Sequence, residues 1–424
     1  MKEDFLQLIW QNQYLRRDKD WLVDSDLVAV HKPGFLNRDS GPDFLQAKLQ
    51  IGDLEWIGSV EIHVRSSEWN QHKHQHDPAY QSVILHVVWE KDVEIFRADK
   101  TKVPTLELKN LVPLEVILRY RQLMDDAKPW IPCDPFLDQI DPFLWISMQE
   151  RVLVERLQRK ALVILDRFEA NGKDWIETFY QTLAWSLGLK LNADSMLRLA
   201  EGLPSKILAN VGYRFEAVLP LLLGVGGFLD ETSSDPIYTN QQSEFQFYNQ
   251  KYRLSPSPIL WQKFRLRPTS FPQIRIILFA RMVAKLPFWY HQLTEVESSK
   301  TFFEGDILAE TPVWIDDLIT ELHLPKGGLH LSSFIKNGLV INVFAPFLTA
   351  ISLHQNNQEM IERALNWLSE LKPESNTILK NWENRKITCQ SAAQSQALLE
   401  LFTQYCAKKN CMSCAVGNRI LGKF

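Results

Sequence analysis

The hydrophobic period changes twice along the chain. In the first 17 residues Phe5, Leu6, Leu8, Ile9 and Trp10 stand among polar neighbours, the spacing of a short amphipathic helix. From 27 to 109 the period is two, which predicts strands over Leu27–His31, Phe44–Ile51, Leu54–Arg65, Val83–Glu90, Val93–Arg97 and Val103–Leu108. Beyond about residue 112 the pattern is helical, as in Phe143–Phe168, Trp175–Leu187, Ser195–Glu201, Ile274–Leu286, Gln358–Leu371 and Ala392–Tyr405. GLPS (202–205), GVGG (224–227) and PKGG (325–328) punctuate these segments as turns. The apolar run Ala217–Leu229 is too short for a bilayer and contains a proline, so it predicts a buried helix and its end. The polar stretch 231–257 predicts a long loop or an interdomain crossing. The fold class that follows is α+β: a β-rich domain over 1–111 with a mixed or antiparallel sheet, then a larger all-α domain over 112–424.

With 424 residues, 45% hydrophobic and 23% charged, the chain can bury a large core in two or three folding units. The opening MKEDF lacks the basic start and apolar run of a secretory signal, which predicts a cytoplasmic protein with no membrane partner. A formal charge of −4 creates no overall basic field, so DNA or RNA would have to be held by a local patch. Phosphate-binding loop, dinucleotide glycine and Gly-x-Ser-x-Gly patterns do not occur, which argues against Walker-type nucleotide hydrolysis and serine-hydrolase chemistry.

Candidate chemistry concentrates in the β region, where six of the ten histidines lie between 31 and 86. Alternation along Leu54–Arg65 puts Val60, Ile62 and Val64 on one face and Ser59, Glu61, His63 and Arg65 on the other. Glu61 and His63 are then side by side, either as part of an exposed polar face or as two ligands of a divalent cation such as Mg²⁺, Mn²⁺ or Zn²⁺. Upstream, Pro42 cannot extend a central ladder and sets Asp43 at a strand start or bulge. A Gly52-Asp53 turn folds the two arms together, bringing Asp43 near Ile62. The register of a two-residue loop puts Asp43 on the apolar face, from which a kink at Pro42 would turn it toward Glu61. Downstream, His72, His74, His76 and Asp77 precede His86, which sits within the apolar strand VILHVV. His74, Asp77 and His86 are candidate ligands or supporting groups; ordinary surface histidines and a hydrogen-bonded core histidine are the alternatives.

The other chemical feature is YCAKKNCMSCAVG, with Cys406, Cys411 and Cys414 spaced C-x4-C-x2-C. In an intracellular chain such spacing favours metal or redox chemistry over a structural disulfide. Tetrahedral Zn²⁺ and an iron–sulfur cluster both need a fourth ligand, which Cys133 or Cys389 can supply. In the helical part, Lys263, Arg265, Arg267 and Arg275 of KFRLRPTSFPQIRI are either phosphate contacts or a solvated turn before a helix beginning near Pro272.

The Pro42-Asp43 and Glu61-x-His63 pair resembles the core of the PD-(D/E)XK nuclease superfamily, in which Pro-Asp opens one strand and Glu-x-Lys lies on the adjoining one. The resemblance implies Asp43 and Glu61 as metal ligands and His63, at the lysine position, as a third ligand or water activator. The helix that this core places after the Glu-x-Lys strand is short or missing in SSEWNQHKHQHDPAY. The whole chain also resembles a bacterial family catalogued as domain of unknown function 2851. The stretches that carry this are GPDF (41–44), GSVEIHV (58–64), EWNQHKHQHDPAY (68–80) with VILHVV (83–88), IPC (131–133), VERLQRKA (154–161), RPTSFPQIRI (267–276), QSAAQSQALLELFTQYC (390–406) and CMSCAVG (411–417). That pattern includes a cysteine at IPC, which favours Cys133 over Cys389. The cysteines would tie the α domain to the N-terminal part. The expected function is metal-dependent hydrolysis of phosphodiester bonds in nucleic acid. The competing expectations are a metal-stabilised scaffold that binds nucleic acid or a protein, and a zinc hydrolase acting on another substrate.

Overall fold

The computed structural model describes residues 2–124, 130–255, 257–264, 266–304, 308–325 and 329–422; Arg265 and residues 326–328 of the PKGG turn lie outside them. The architecture is α+β, with a mixed sheet ahead of a long helical region. The chain forms two compact units, Met1–Met148 with Leu401–Phe424, and Gln149–Glu400. These units differ from the expected cut between 111 and 112. Helix Leu114–Met124 packs with the sheet unit, since Tyr120 is buried and its ring stacks on Phe5 at 4.0 Å between centroids.

In the first unit, α1 (Glu3–Asn12) buries Phe5, Leu6, Leu8, Ile9 and Trp10, the apolar face read from the sequence. The strands are β1 (Leu22–Val23), β2 (Asp26–Lys32), β3 (Phe35–Leu36), β4 (Phe44–Ile51), β5 (Leu54–Arg65), β6 (Val83–Glu90) and β7 (Thr105–Glu107). Sheet order is β1-β2-β4-β5-β6-β7, with β3 on β4. Pairing is antiparallel from β1 through β5 and parallel for β5–β6 and β6–β7. The strand expected over Val93–Arg97 reduces to a single bridge, Phe96 to Lys102. That over Val103–Leu108 begins only after Pro104, which has no N–H for the ladder and whose carbonyl accepts the His86 N–H at 2.8 Å.

A parallel β5–β6 pair requires a crossover. It runs through α2 (Glu68–Gln71) and two 3-10 turns, His74–His76 and Pro78–Ser82. The crossover returns so close to β5 that a Cβ on Gly58 would lie 2.5 Å from the Ser82 carbonyl and the Ile84 side chain. With α1 and the crossover against β5, Ser59 through His63 are buried on both faces. The polar face of this strand is therefore an interior one.

The β4–β5 register decides where Asp43 points. Gly52 turns at φ 58°, Ile51 pairs with Leu54, and the ladder is regular to Ala47 opposite Gly58. One extra residue then enters β4: Gln46 adopts φ 57°, and Phe44 pairs with Val60. Because side chains alternate, this bulge moves Asp43 to the face of Glu61. A bulge at Gln46, not a kink at Pro42, makes the turn.

In the second unit, Trp175–Leu187 has the expected bounds, with Asp174 capping the N–H groups of Ile176 and Glu177. The stretch 231–257 is not a loop. Pro236–Tyr252 is helical, capped by Asp235, with Tyr238, Gln241, Phe245 and Tyr248 buried. That three- and four-residue spacing outweighs the polar composition. Ala217–Leu229 supplies most of the buried helix Phe215–Val225. Among the described residues one helical run, Ser333–Gln355, is long and apolar enough to cross a membrane, and 67% of its most apolar 18-residue window is buried within the protein.

Glu400, 2% exposed, takes Arg159 in a two-pronged pair at 2.8 and 3.0 Å and Arg156 at 3.0 Å. Burial raises its pKa, but the two guanidinium groups outweigh burial and leave it below the ordinary 4.5. Its contribution to stability is thus present above that value and lost as pH falls through the lower, folded one. Glu400→Gln is expected to cost about 2–4 kcal/mol at neutral pH, by denaturant unfolding, because it strands two arginines, one of them half exposed. The difference from the parent should shrink as pH drops below 4.5.

Candidate metal centre

Three segments converge beside β5. Glu61 and His63 come from β5 itself, two apart on one face. His72 ends α2, and Lys73, at φ 62°, reverses the backbone so that His74 at the start of the next turn faces back to the strand. Buried Trp69 anchors the crossover, and Tyr80 stacks on His74 with ring centroids 3.7 Å apart. The nearest ligand atoms of His63, His72 and His74 all lie within 4.8 Å of one another. His63 Nε2 is 3.1 Å from His72 Nδ1, and Glu61 Oε1 is 3.6 Å from His63 Nε2 and 3.4 Å from His74 Nε2.

These separations fit a cation. Donors about 2.0–2.1 Å from a tetrahedral zinc stand roughly 3.3–3.4 Å apart. His74 Nε2 is buried with no hydrogen-bond partner, which without an ion would be a desolvation cost. Burial, then the neighbouring imidazoles, lowers His63 to about 3 and His74 to about 4, so both are neutral at pH 7 and in the form that ligates metal. Burial, then the charge of Asp43, pushes Glu61 up to about 9, a cost that a bound cation reverses.

The surrounding groups orient the donors. His63 Nδ1 meets His86 Nε2 at 2.8 Å, leaving Nε2 toward the other donors. Asp43 N–H donates to Glu61 Oε2 at 3.1 Å, leaving Oε1 toward the imidazoles. The Asp43 carboxylate is itself held by the Ile62 N–H at 2.9 Å and by Gln7 Nε2 of α1 at 2.8 Å. Burial raises it to about 6. The back of the site is buried, while His72 is exposed and forms its open side.

Four of the five cysteines, Cys133, Cys406, Cys411 and Cys414, lie in the same unit. Helix Ala392–Glu400 continues as a π-helical segment, Leu401–Cys406, followed by the short turn Cys411–Ser413. Gly417 lies against the Cys411 backbone so tightly that a Cβ would be 2.2 Å from its carbonyl oxygen. Trp130 stacks on Phe402 at 4.5 Å, setting the turn that carries Cys133 beside this segment. No disulfide joins the five cysteines, all of which lie among the described residues. Burial, then Cys414 and Cys411, pushes the Cys133 thiol up; burial, then Cys133, Cys414 and Cys411, does the same to Cys406. Cys411 is raised to about 12 by burial and by Cys414. Cys389 belongs to the other unit.

Residues 3–377 match the family described as "Protein of unknown function (DUF2851)". The chain belongs to this family. No curated protein and no solved structure matches it. The family match ends before 390–406 and 411–417, so the C-terminal cysteine motif lies beyond it.

Of the candidates read from the family-like stretches, Glu61, His63 and His74 converge, and Asp43 and His86 stand directly behind them. Asp77 does not join them: its carboxylate accepts the Ala79 N–H at 2.9 Å and caps a surface turn. His72, not singled out from its neighbours by sequence, completes the group. The signal was the run His72-Lys73-His74, whose two imidazoles meet only because the backbone reverses at Lys73. The protein is expected to bind about one equivalent of Zn²⁺ or Mn²⁺ at this centre, by calorimetry. His86→Ala should weaken that binding roughly 10–100-fold, as loss of an orienting partner does.

Proposed function

We propose that this protein is a metal-dependent hydrolase of phosphodiester bonds in DNA or RNA, with Glu61, His63, His72 and His74 around a divalent ion. The observation that carries the reading is the convergence of these four donors beside a strand that starts at Pro42-Asp43. A mainly imidazole set suits Zn²⁺ or Mn²⁺ better than Mg²⁺. Such an ion supplies Lewis-acid polarisation of phosphate and a water of lowered pKa. Asp43 acts through Glu61, whose carboxylate it fixes, and His86 acts through His63. The choice of nucleic acid as substrate rests on the likeness of the Pro42-Asp43 and Glu61-x-His63 arrangement to the PD-(D/E)XK nucleases.

A second reading, a non-catalytic scaffold stabilised by metal, is favoured by the number of donors, since four protein ligands suffice for a structural zinc site. Cleavage of single- and double-stranded DNA and RNA by anaerobically purified protein with Mg²⁺, Mn²⁺ or Zn²⁺ separates the two. In the hydrolase reading, Glu61→Gln of matched thermal stability loses roughly a hundredfold or more in kcat/KM. In the scaffold reading no metal supports cleavage, and chelation lowers the Tm.

For Cys133, Cys406, Cys411 and Cys414 we infer an iron–sulfur cluster or a zinc ion, since four thiolates suit either. Iron, sulfide and zinc contents of the anaerobic protein, with its visible absorption, distinguish them. Cys133→Ser should lower whichever content is found, and protein free of both would overturn the assignment.

A further inference from the structure

Helix Pro272–Val283 of the second unit buries every residue from Pro272 to Ala280, and Arg275 is buried with them at 5% exposure. Among the described residues its guanidinium meets only the Ser270 hydroxyl, Nη2 to Oγ at 3.3 Å, and its Nε has no partner at all. Burial alone lowers its pKa, with no carboxylate acting on it. An unpaired interior cation is costly and persists only where something offsets the cost.

Arg275 lines a cavity of about 270 Å³. Leu187, Leu339 and Asn342 are among its other walls, and Phe334 and Lys372 stand exposed at its rim. Asn342 lies in a π-helical segment, Val340–Phe344, a local irregularity that is frequent at functional sites. Its Oδ1 accepts from Lys160 Nζ at 2.8 Å. The cavity's one carboxylate, Glu374, is exposed and takes Gln396 Nε2 at 2.6 Å. Opposite charge is therefore missing where Arg275 needs it, and a space large enough to admit it is present.

We propose that this cavity binds a small ligand through an oxyanion, phosphate or carboxylate, received by the Arg275 guanidinium, with the exposed Phe334 ring and Lys372 at its entrance. A guanidinium fork matches either oxyanion with two parallel hydrogen bonds. The volume limits the ligand to metabolite size. This site is independent of the hydrolase reading, because none of its residues belongs to the metal centre.

Calorimetry on the full chain with inorganic phosphate, adenosine monophosphate and succinate as probes tests it. At least one probe should bind with a dissociation constant of millimolar order or tighter, and the identity of the binder separates phosphate from carboxylate. Arg275→Met should weaken that binding roughly tenfold or more, yet leave the Tm of the ligand-free protein equal or higher, because it removes an unpaired buried charge. Gly338→Leu gives a second test: a Cβ there meets nothing within 4 Å, so the helix tolerates it while the side chain fills the cavity and should also weaken binding. Binding by none of the probes overturns the proposal, as does Gly338→Leu with unchanged affinity. So does Arg275→Met that binds as the parent does, or that lowers the ligand-free Tm as a purely structural arginine would.

Discussion

Glu61 accepts the Asp43 N–H while Asp43 accepts the Ile62 N–H, so each carboxylate is anchored by the opposite strand. Two buried acids at such close quarters repel, and each loses water. The backbone donors, with Gln7 reaching from α1, supply part of what solvent would have given. What remains is answered by a proton on Glu61, whose pKa burial and the charge of Asp43 push up to about 9, or by a bound cation. The three imidazoles beside Glu61 thus form a group that could hold a metal ion. Everything nearby follows: the bulge that aligns Asp43, the α1 helix over β5, and the crossover that returns two histidines to the strand.

The helical unit treats buried charge in the opposite way. Glu400 is answered by two arginines within the unit, a local and self-sufficient arrangement. Arg275 has no such answer. The contrast separates a charge that serves stability from one whose partner must come from outside.

Much of this was legible in the residues. Alternation fixed β4, β5 and β6 to the residue, because their apolar positions and the Gly52-Asp53 turn agree. The α+β class followed from the change to a period of two over 27–109 and back to a helical one beyond it. The Gln46 bulge was not legible, since a left-handed glutamine carries no compositional mark and its effect is to shift a register by one. The helix over Pro236–Tyr252 was hidden by its polar surface, although Asp235-Pro236 is a good start signal. The role of His72 depended on a backbone reversal at Lys73 that spacing alone could not supply. The C-terminal cysteines were expected only as a tie between the α domain and the N-terminal part, and their place within the sheet unit is set by contacts between residues far apart in sequence.

That last feature has a bearing on how the chain is made. The sheet is encoded near the start, but Cys406, Cys411 and Cys414, which belong to the same compact unit, are encoded after the whole of residues 149–400. On the ribosome the strands emerge early and wait, while the intervening helical unit can fold as a block and draw its two ends into position at little further entropic cost. Only then are Cys133 and the three C-terminal cysteines all present to complete the unit. Loading of any cofactor on the cysteines is therefore a late event in synthesis, whereas Glu61, His63, His72 and His74, encoded within a dozen or so residues, can meet a metal as soon as the strand and its crossover have formed.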